Sequence, residues 1–356
     1  MVSSKNYLVL NLEWNSFKSR DRFTSSLISN YLRLNNIKII ESSIHRGILD
    51  IILYKPDLVF ISNSNGAKIN HEIIKYSKKV GCKVLTLVSE GNFNGNKKML
   101  NEFIWGWNHE KIMYEDLTLY WSKRAKKLAT NLYPEIKSKI KISGSVGFDK
   151  YFLDFKFDKK RILNNKKYRQ IIGYACYDFS VFVDKNHPKY NYVRKIHSKR
   201  EVSRFISDFK KTNKILKKII DKNPDVFFIL KEHPGNIMSK KYSAIDGLDN
   251  KKNVKIIKNE YDAFELISIC DAWGSYDSTT NLEAWFLDKE TFLINPNGVD
   301  WERNIIYKGS INIISSKDFD DFLFKLKSNT HNFSKKYIDI RSEIKNHISD
   351  YNDGKN

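Results

Sequence analysis

Short apolar runs alternate with longer amphipathic stretches along most of this chain, and that alternation limits the possible folds more than any other feature. Tyr7 to Leu12 reads as a strand, 21 to 35 as a helix, Ile37 to Ile40 as a strand and 45 to 54 as a helix. Leu58 to Ser62 is a strand, 67 to 80 a helix and Lys83 to Val88 another strand. Such an order implies a parallel sheet with helices on both faces.

After a Gly-, Asn- and Trp-rich loop at 91 to 109, the pattern resumes with a strand near 117 to 121, a helix near 122 to 132 and a strand at Lys139 to Ser143. A basic stretch at 156 to 169 reads as a connection, so the first Rossmann-like lobe is expected over 1–150. A second Rossmann-like lobe is expected over 151–330. Its strands are Gln170 to Ala175, Val226 to Leu230, Val254 to Ile257, 271 to 274 and, last, Thr291 to Asn295. Helices are expected at 201 to 221, 261 to 269 and 278 to 287, and the tail, 331–356, as helix returning to the first lobe. The polar, aromatic segment 176 to 200 is long for a loop and reads as a lid or acceptor-contacting element. The fold class is therefore α/β, two lobes of parallel sheet.

A length of 356 residues suits two domains of ~150 residues. No run approaches the ~18 apolar residues that would span a bilayer, and the opening residues lack the apolar stretch of a secretory signal, so a cytoplasmic protein is expected. Cys82, Cys176 and Cys270 are too far apart for a metal-ligand pattern and read as buried, inert thiols. The net charge of +21 is lopsided: residues 1 to 200 hold 37 Lys and Arg against 17 Asp and Glu, while the remainder holds 25 against 24. A basic half of this kind attracts polyanions and allows peripheral docking on the anionic inner face of the cytoplasmic membrane. The aromatics lie within apolar runs rather than between Lys and Arg, which argues against a nucleic-acid platform.

Three segments carry chemistry. The apolar strand ending in Lys231-Glu232-His233-Pro234 delivers a lysine and a histidine to the sheet edge where open α/β folds bind ligands, suited to a phosphate or diphosphate. His187-Pro188 follows no apolar strand, so the same dipeptide there reads as a loop. Next, Gly274-Ser275 leads to Ser278, Thr279 and Thr280 where a helix begins, a place where backbone N–H groups favour anions, although Ser and Thr also serve there as ordinary caps. Glu283 stands within reach of a ribose hydroxyl or is a solvated helix carboxylate. Third, Ser89-Glu90-Gly91-Asn92 follows a strand and sets a carboxylate where a general base is needed, or where a loop is capped. No Walker or GxGxxG loop is present, and no metal site is expected.

The joint order of these segments resembles the GT-B type glycosyltransferases of bacterial surface-carbohydrate and capsule-polysaccharide biosynthesis, including Kdo-transferring and polysialyltransferase-like enzymes. The segment from Glu13 through Arg20 to Asp21 and the turn from Gly144 to Asp149 share the likeness, which spans most of residues 7 to 296. The resemblance implies that His233 and the Ser278 to Thr280 hydroxyls hold the donor phosphate, Glu283 the ribose, and Glu90 acts as base. Lys231, Pro234 and Ser275 would complete the donor site, with Glu13, Arg20, Gly91, Asn92 and Gly144 on the acceptor side. The expected function is a metal-independent glycosyl transfer from a nucleotide sugar, a CMP-linked acidic sugar first and a UDP or other nucleotide otherwise, to a surface glycan or lipid-linked glycan acceptor. The alternatives are a polyol-phosphate transferase or nucleotide-sugar epimerase on the same fold and, from another class, a basic nucleic-acid-binding module.

Overall fold

The computed structural model describes residues 7–14, 20–64, 67–88, 91, 97–153, 157–163, 167–233, 245, 247–298, 308–328 and 331–351, with the side chains of all but 20, 21 and 331–336. The chain divides into two compact units, Met1–Lys150 with Lys345–Asn356, and Tyr151–Ile344. Each is built on a parallel sheet with helices on its two faces, as the alternation requires.

In the first unit the strands are β1 (Leu8–Glu13), β2 (Lys38–Ser43), β3 (Leu58–Ile61), β4 (Lys83–Leu87), β5 (Leu117–Tyr120) and β6 (Ile140–Ile142). They lie in the order β2-β1-β3-β4-β5-β6, so the winding reverses between β1 and β3. Helices α1 (Arg20–Leu34), α2 (Gly47–Tyr54), α3 (Lys68–Lys79), α4 (Lys97–Trp105) and α5 (Lys123–Leu132) connect them. A polar residue in the middle of β1, Asn11, is fully buried yet satisfied: its amide donates to Ser29 Oγ at 2.7 Å and accepts from Ser25 Oγ at 3.0 Å, which pins α1 against the strand. The last residues belong here too. The Ser145 N–H donates to Ser349 Oγ at 2.9 Å, and the Lys123 N–H to Asp350 Oδ2 at 2.7 Å.

The second unit opens with α6 (Lys160–Leu163), within the basic stretch read as a connection. Its strands are β7 (Gln170–Ala175), β8 (Val226–Lys231), β9 (Val254–Ile257), β10 (Ala272–Ser275), β11 (Glu290–Ile294) and β12 (Ile311–Ile313), and its later helices include α9 (Lys199–Lys222), α10 (Ala263–Ile269), α11 (Thr280–Phe286), α12 (Ser316–Lys327) and α13 (His331–Ile348). The order β12-β11-β10-β7-β8-β9 puts the reversal between β7 and β10. Helix α9 starts at a capping box, Ser198 with Glu201, and buries Val202, Phe205, Leu216, Ile219 and Ile220 along one stripe. Each such side chain contributes ~1.5–3 kcal/mol when fully buried.

Three readings change. Lys97–Trp105 is helix α4 rather than loop, because Leu100, Ile104 and Trp105 recur at helical spacing and are buried. Thr291 to Asn295 is not the last strand, since Ile311–Ile313 pairs with β11 beyond it. The 176–200 segment is no open lid: it forms α7 (Ser180–Val183) and α8 (Tyr190–Ile196), and Phe179, Val181, Phe182 and Val193 are buried in a cluster with Phe205 and Tyr276. Among the described residues, no helix is long and apolar enough to cross a membrane.

Candidate functional site

In the second sheet the strands end level with one another. Ser275, Ala175, Lys231 and Ile257 pair across β10, β7, β8 and β9 in a single row. The ladder runs one step further, with the Cys176 N–H donating to Lys231 O at 2.9 Å and the Glu232 N–H to Ile257 O at 2.8 Å. Beyond that step the segments after β7, β8 and β10 emerge together at the reversal of winding, where open α/β sheets leave a crevice for ligands. Asp178, His233, and Ser278 with Thr279 are the residues they carry there.

Two glycines set the height of this edge. A Cβ on Gly173 would lie 2.1 Å from Trp273 Cε3, and one on Gly274 would lie 2.2 Å from the Phe292 ring, so each glycine leaves the flat floor on which a buried aromatic rests. The Trp273 indole then reaches forward, its Nε1–H donating to Thr280 Oγ1 at 2.9 Å. Ser278 Oγ lies 3.0 Å from Thr280 Oγ1 and accepts the Thr280 N–H at 3.2 Å. Tyr276, fully buried, fixes the same loop from below by donating to Asp208 Oδ2 at 2.6 Å, while Asn297 Nδ2 donates to the other oxygen of that carboxylate. Asp208 is the acid that interrupts the apolar stripe of α9, the one sequence signal that could have marked this tether.

The expected residues fall unevenly on this frame. Lys231 is half-buried, with Nζ 3.4 Å from Lys258 O. Burial holds its ammonium below the usual lysine range, opposed by Asp262, Cys176, Glu283 and Glu260. His233 is pushed below the ordinary histidine value, chiefly by burial, with Asp178 opposing and Lys189, Lys231 and His187 reinforcing. Because 47% of its side chain remains accessible, solvent tempers that effect. A bound diphosphate would favour the charged form of both groups.

Ser278 and Thr279 are partly exposed, and the Thr279 side chain makes no cap hydrogen bond. Helix α11 is only 7 residues long and starts at Thr280, whose N–H is already taken by Ser278, so it is the hydroxyls rather than a helix end that the loop presents. Ser275 lies inside the strand with its hydroxyl buried. Glu283 is buried and accepts a hydrogen bond from the Tyr151 hydroxyl, within electrostatic reach of Lys231. Pro234 lies outside the described residues.

In the first unit, Glu90 and Asn92 also lie outside the described residues, as does the side chain of Arg20. Gly91 is described, and packing accounts for it: a Cβ there would sit 2.0 Å from Trp121 Cε3, whose indole Nε1–H donates to Val88 O at 2.8 Å. Glu13 ends β1, buried, 4.0 Å from Arg22. Gly144 adopts φ +79°, a left-handed turn that glycine accepts without strain, and lines a cavity of about 20 Å³ beside Ser62 and Ser145, room for one water.

His187, expected from the sequence only as part of a loop, is buried beside the edge. Only 4% of its side chain is accessible, and its Nε2 stands 3.6 Å from Asp178 Oδ2, with His233 Nδ1 3.9 Å from the same oxygen. The loop around it is folded inward by the buried aromatics of α7, which a local reading of a polar segment does not foresee.

The fold is that of a two-unit, Rossmann-like protein with a parallel sheet in each unit. No family model matches the sequence, and no curated protein matches it. Solved structures do. S. aureus MnaA with UDP matches at 12% identity and TM-score 0.60, over 98% of this chain and 94% of that one. The UDP-GlcNAc 2-epimerase of Neisseria meningitidis bound to UDP-GlcNAc matches at 14% identity and TM-score 0.59, over 98% and 97%. That of Methanocaldococcus jannaschii, in complex with UDP-GlcNAc and UDP, matches at 13% identity and TM-score 0.59, over 90% and 92%.

These likenesses overturn the sequence-based identification. The chain resembles the UDP-GlcNAc 2-epimerases in fold, not the surface-carbohydrate glycosyltransferases, and neither a glycosyl-transfer activity nor a glycan, lipid-linked or membrane partner is supported. The nucleotide bound in the similar structures is UDP rather than CMP. The physical reason is that one fold, and one set of polar residues at its strand ends, serves several reactions, so motif order on such a fold does not fix the chemistry. Among the described residues no group of three or more His, Cys, Asp and Glu could hold a metal.

Proposed function

We propose that this chain binds a UDP-linked sugar and inverts it at C2, in the manner of the 2-epimerases whose fold it shares. The observation that supports the nucleotide half is that Lys231 and His233 stand at the end of β8, and Ser278 and Thr279 after β10, on the two neighbours of β7 beside the reversal of the second sheet. A lysine ammonium, an imidazole able to donate a hydrogen bond and two hydroxyls, carried at the strand ends of such a sheet, suit a diphosphate. Glu283 is assigned to the ribose; its hydrogen bond from Tyr151 holds the carboxylate ready in one orientation.

Inversion at C2 takes a proton from carbon on one face and returns one on the other, so it consumes no co-reactant and needs no acceptor. Glu90 is assigned to removing the C2 proton because it comes three residues after the end of β4, and the proton returned on the opposite face comes from solvent. The likeness to structures holding UDP and UDP-GlcNAc supports the substrate class.

The test is proton NMR of UDP-GlcNAc incubated with the protein in D₂O. Loss of the C2 proton signal and growth of the C2 epimer are expected, abolished in Glu90→Gln with UDP affinity kept, and slowed in His233→Ala with UDP affinity reduced. An unchanged sugar spectrum, with no deuterium incorporated, would reject the assignment.

A further inference from the structure

Asp178 and His187 have no role assigned above, yet both are buried beside His233. Asp178 comes three residues after β7 and carries one oxygen, Oδ2, between two imidazoles: His187 Nε2 at 3.6 Å and His233 Nδ1 at 3.9 Å. Its other oxygen accepts a hydrogen bond from the Ser180 hydroxyl. The carboxylate is nearly enclosed, with 11% of its side chain accessible.

His187 has one orientation open to it. Its Nδ1 accepts the Lys189 N–H at 3.1 Å, so the ring hydrogen of the neutral side chain lies on Nε2, the atom that faces Asp178. That Nε2 is buried and has no acceptor within hydrogen-bond distance, so a displacement of Asp178 by a few tenths of an ångström is all that separates it from a partner. The donors thus converge on one carboxylate from three sides: Ser180 from α7, His187 from the segment between α7 and α8, and His233 from the end of β8. Asp178 favours the charged form of His233, while Lys189, Lys231 and His187 oppose it.

We propose that Asp178, buttressed by His187 and Ser180, is a positioning residue that fixes the tautomer of His233: the carboxylate takes the Nδ1 hydrogen, so that Nε2 becomes the edge offered to the diphosphate. This rests on the nucleotide-binding reading of the same edge. The neutral imidazole of a free histidine favours a hydrogen on Nε2; here the acid at Nδ1 reverses that preference. At 3.9 Å the Asp178 carboxylate is near enough to His233 Nδ1 to favour a hydrogen on that atom. The slack on both sides of Oδ2 lets one small movement serve.

The experiment is histidine nitrogen NMR on the full-length, ligand-free protein, with the His233 signals assigned by their loss in His233→Gln. The expected result is neutral His233 carrying its hydrogen on Nδ1. In Asp178→Asn the hydrogen moves to Nε2, and the titration midpoint of His233 falls because the carboxylate that favoured its charged form is gone. His187→Gln, which can still donate to Asp178, keeps the wild-type pattern, whereas His187→Leu weakens it. UDP affinity falls about tenfold in Asp178→Asn, an effect a merely structural role would not pair with a tautomer change. Wild-type His233 with its hydrogen on Nε2, or a tautomer and midpoint unmoved in Asp178→Asn, would overturn the proposal. The nitrogen spectra do not depend on UDP: the expected tautomer in a protein that ignores UDP keeps this inference and removes the nucleotide reading, and the converse result does the opposite.

Discussion

Gly173→Ala tests whether the candidate site is held up by the contact between β7 and the Trp273 indole. The new methyl would lie 2.1 Å from Cε3, 2.3 Å from Cζ3 and, on its other side, 2.9 Å from Cys270 Sγ. Carbon atoms in contact prefer roughly 3.5–4.0 Å, so the ring must withdraw by more than an ångström. Trp273 is fully buried and has nowhere to withdraw without disturbing its neighbours. Overpacking of this kind costs ~1–3 kcal/mol, and losing the Trp273-to-Thr280 hydrogen bond adds ~1 kcal/mol. A total near 3 kcal/mol in a unit of about two hundred residues lowers Tm by roughly 6–12 °C. Because the displaced indole also holds Thr280, UDP affinity should fall in the surviving folded protein. Gly81→Ala is the contrast: nothing lies within 4 Å of its Cβ, and only the φ of +89° is strained, costing ~1 kcal/mol without touching UDP binding. The assay is a thermal melt with and without UDP. A Gly173→Ala protein that melts within a degree of wild type and binds UDP as well would refute the argument.

Tyr276→Phe should cost ~1–3 kcal/mol by stripping a hydrogen bond from buried Asp208, and the double variant with Asp208→Asn should lose less than the two single losses added together in a denaturant cycle. Cys176 and Cys270 are buried and their thiols pushed up by burial, so a disulfide reagent at pH 8 should leave both unmodified until the protein is unfolded, with labelling read by mass spectrometry. His233 sits below its ordinary value in the folded state, so the folded chain binds fewer protons than the unfolded one between that lowered value and about 6.5. Stability is therefore lost as pH falls through that window, and His233→Gln should show a shallower decline of Tm from pH 7.5 to 5.5; an identical decline in both proteins would contradict the shift.

The fold class was legible because parallel strands buried on both faces leave continuous apolar runs, and Gln170–Ala175 and Val226–Lys231 are runs of that kind. What escaped was either short or masked by composition. Ile311–Ile313 is a three-residue edge strand, too brief to show a period, and Lys97–Trp105 lies between glycines and asparagines that suggested a loop. Lys231, His233 and Ser278 could be placed at a sheet edge because they follow strands directly. The meeting of Asp178 with His187 could not be: Phe179 and Phe182 fold their segment inward through contacts with Phe209 and Phe205, some twenty to thirty residues on in the sequence. The reaction was least legible, since residues that hold a nucleotide diphosphate serve transfer and isomerisation equally well.

The central claim is that a uridine diphosphate group is held at the end of the second sheet where β7 and β10 part. A crystal structure of the protein soaked with UDP tests it most directly. The account places the diphosphate beside Lys231, His233 and the Ser278 hydroxyl, with the His233 Nδ1 to Asp178 distance shortened from 3.9 Å. UDP bound away from those side chains, or no UDP in crystals at saturating concentration, would contradict it.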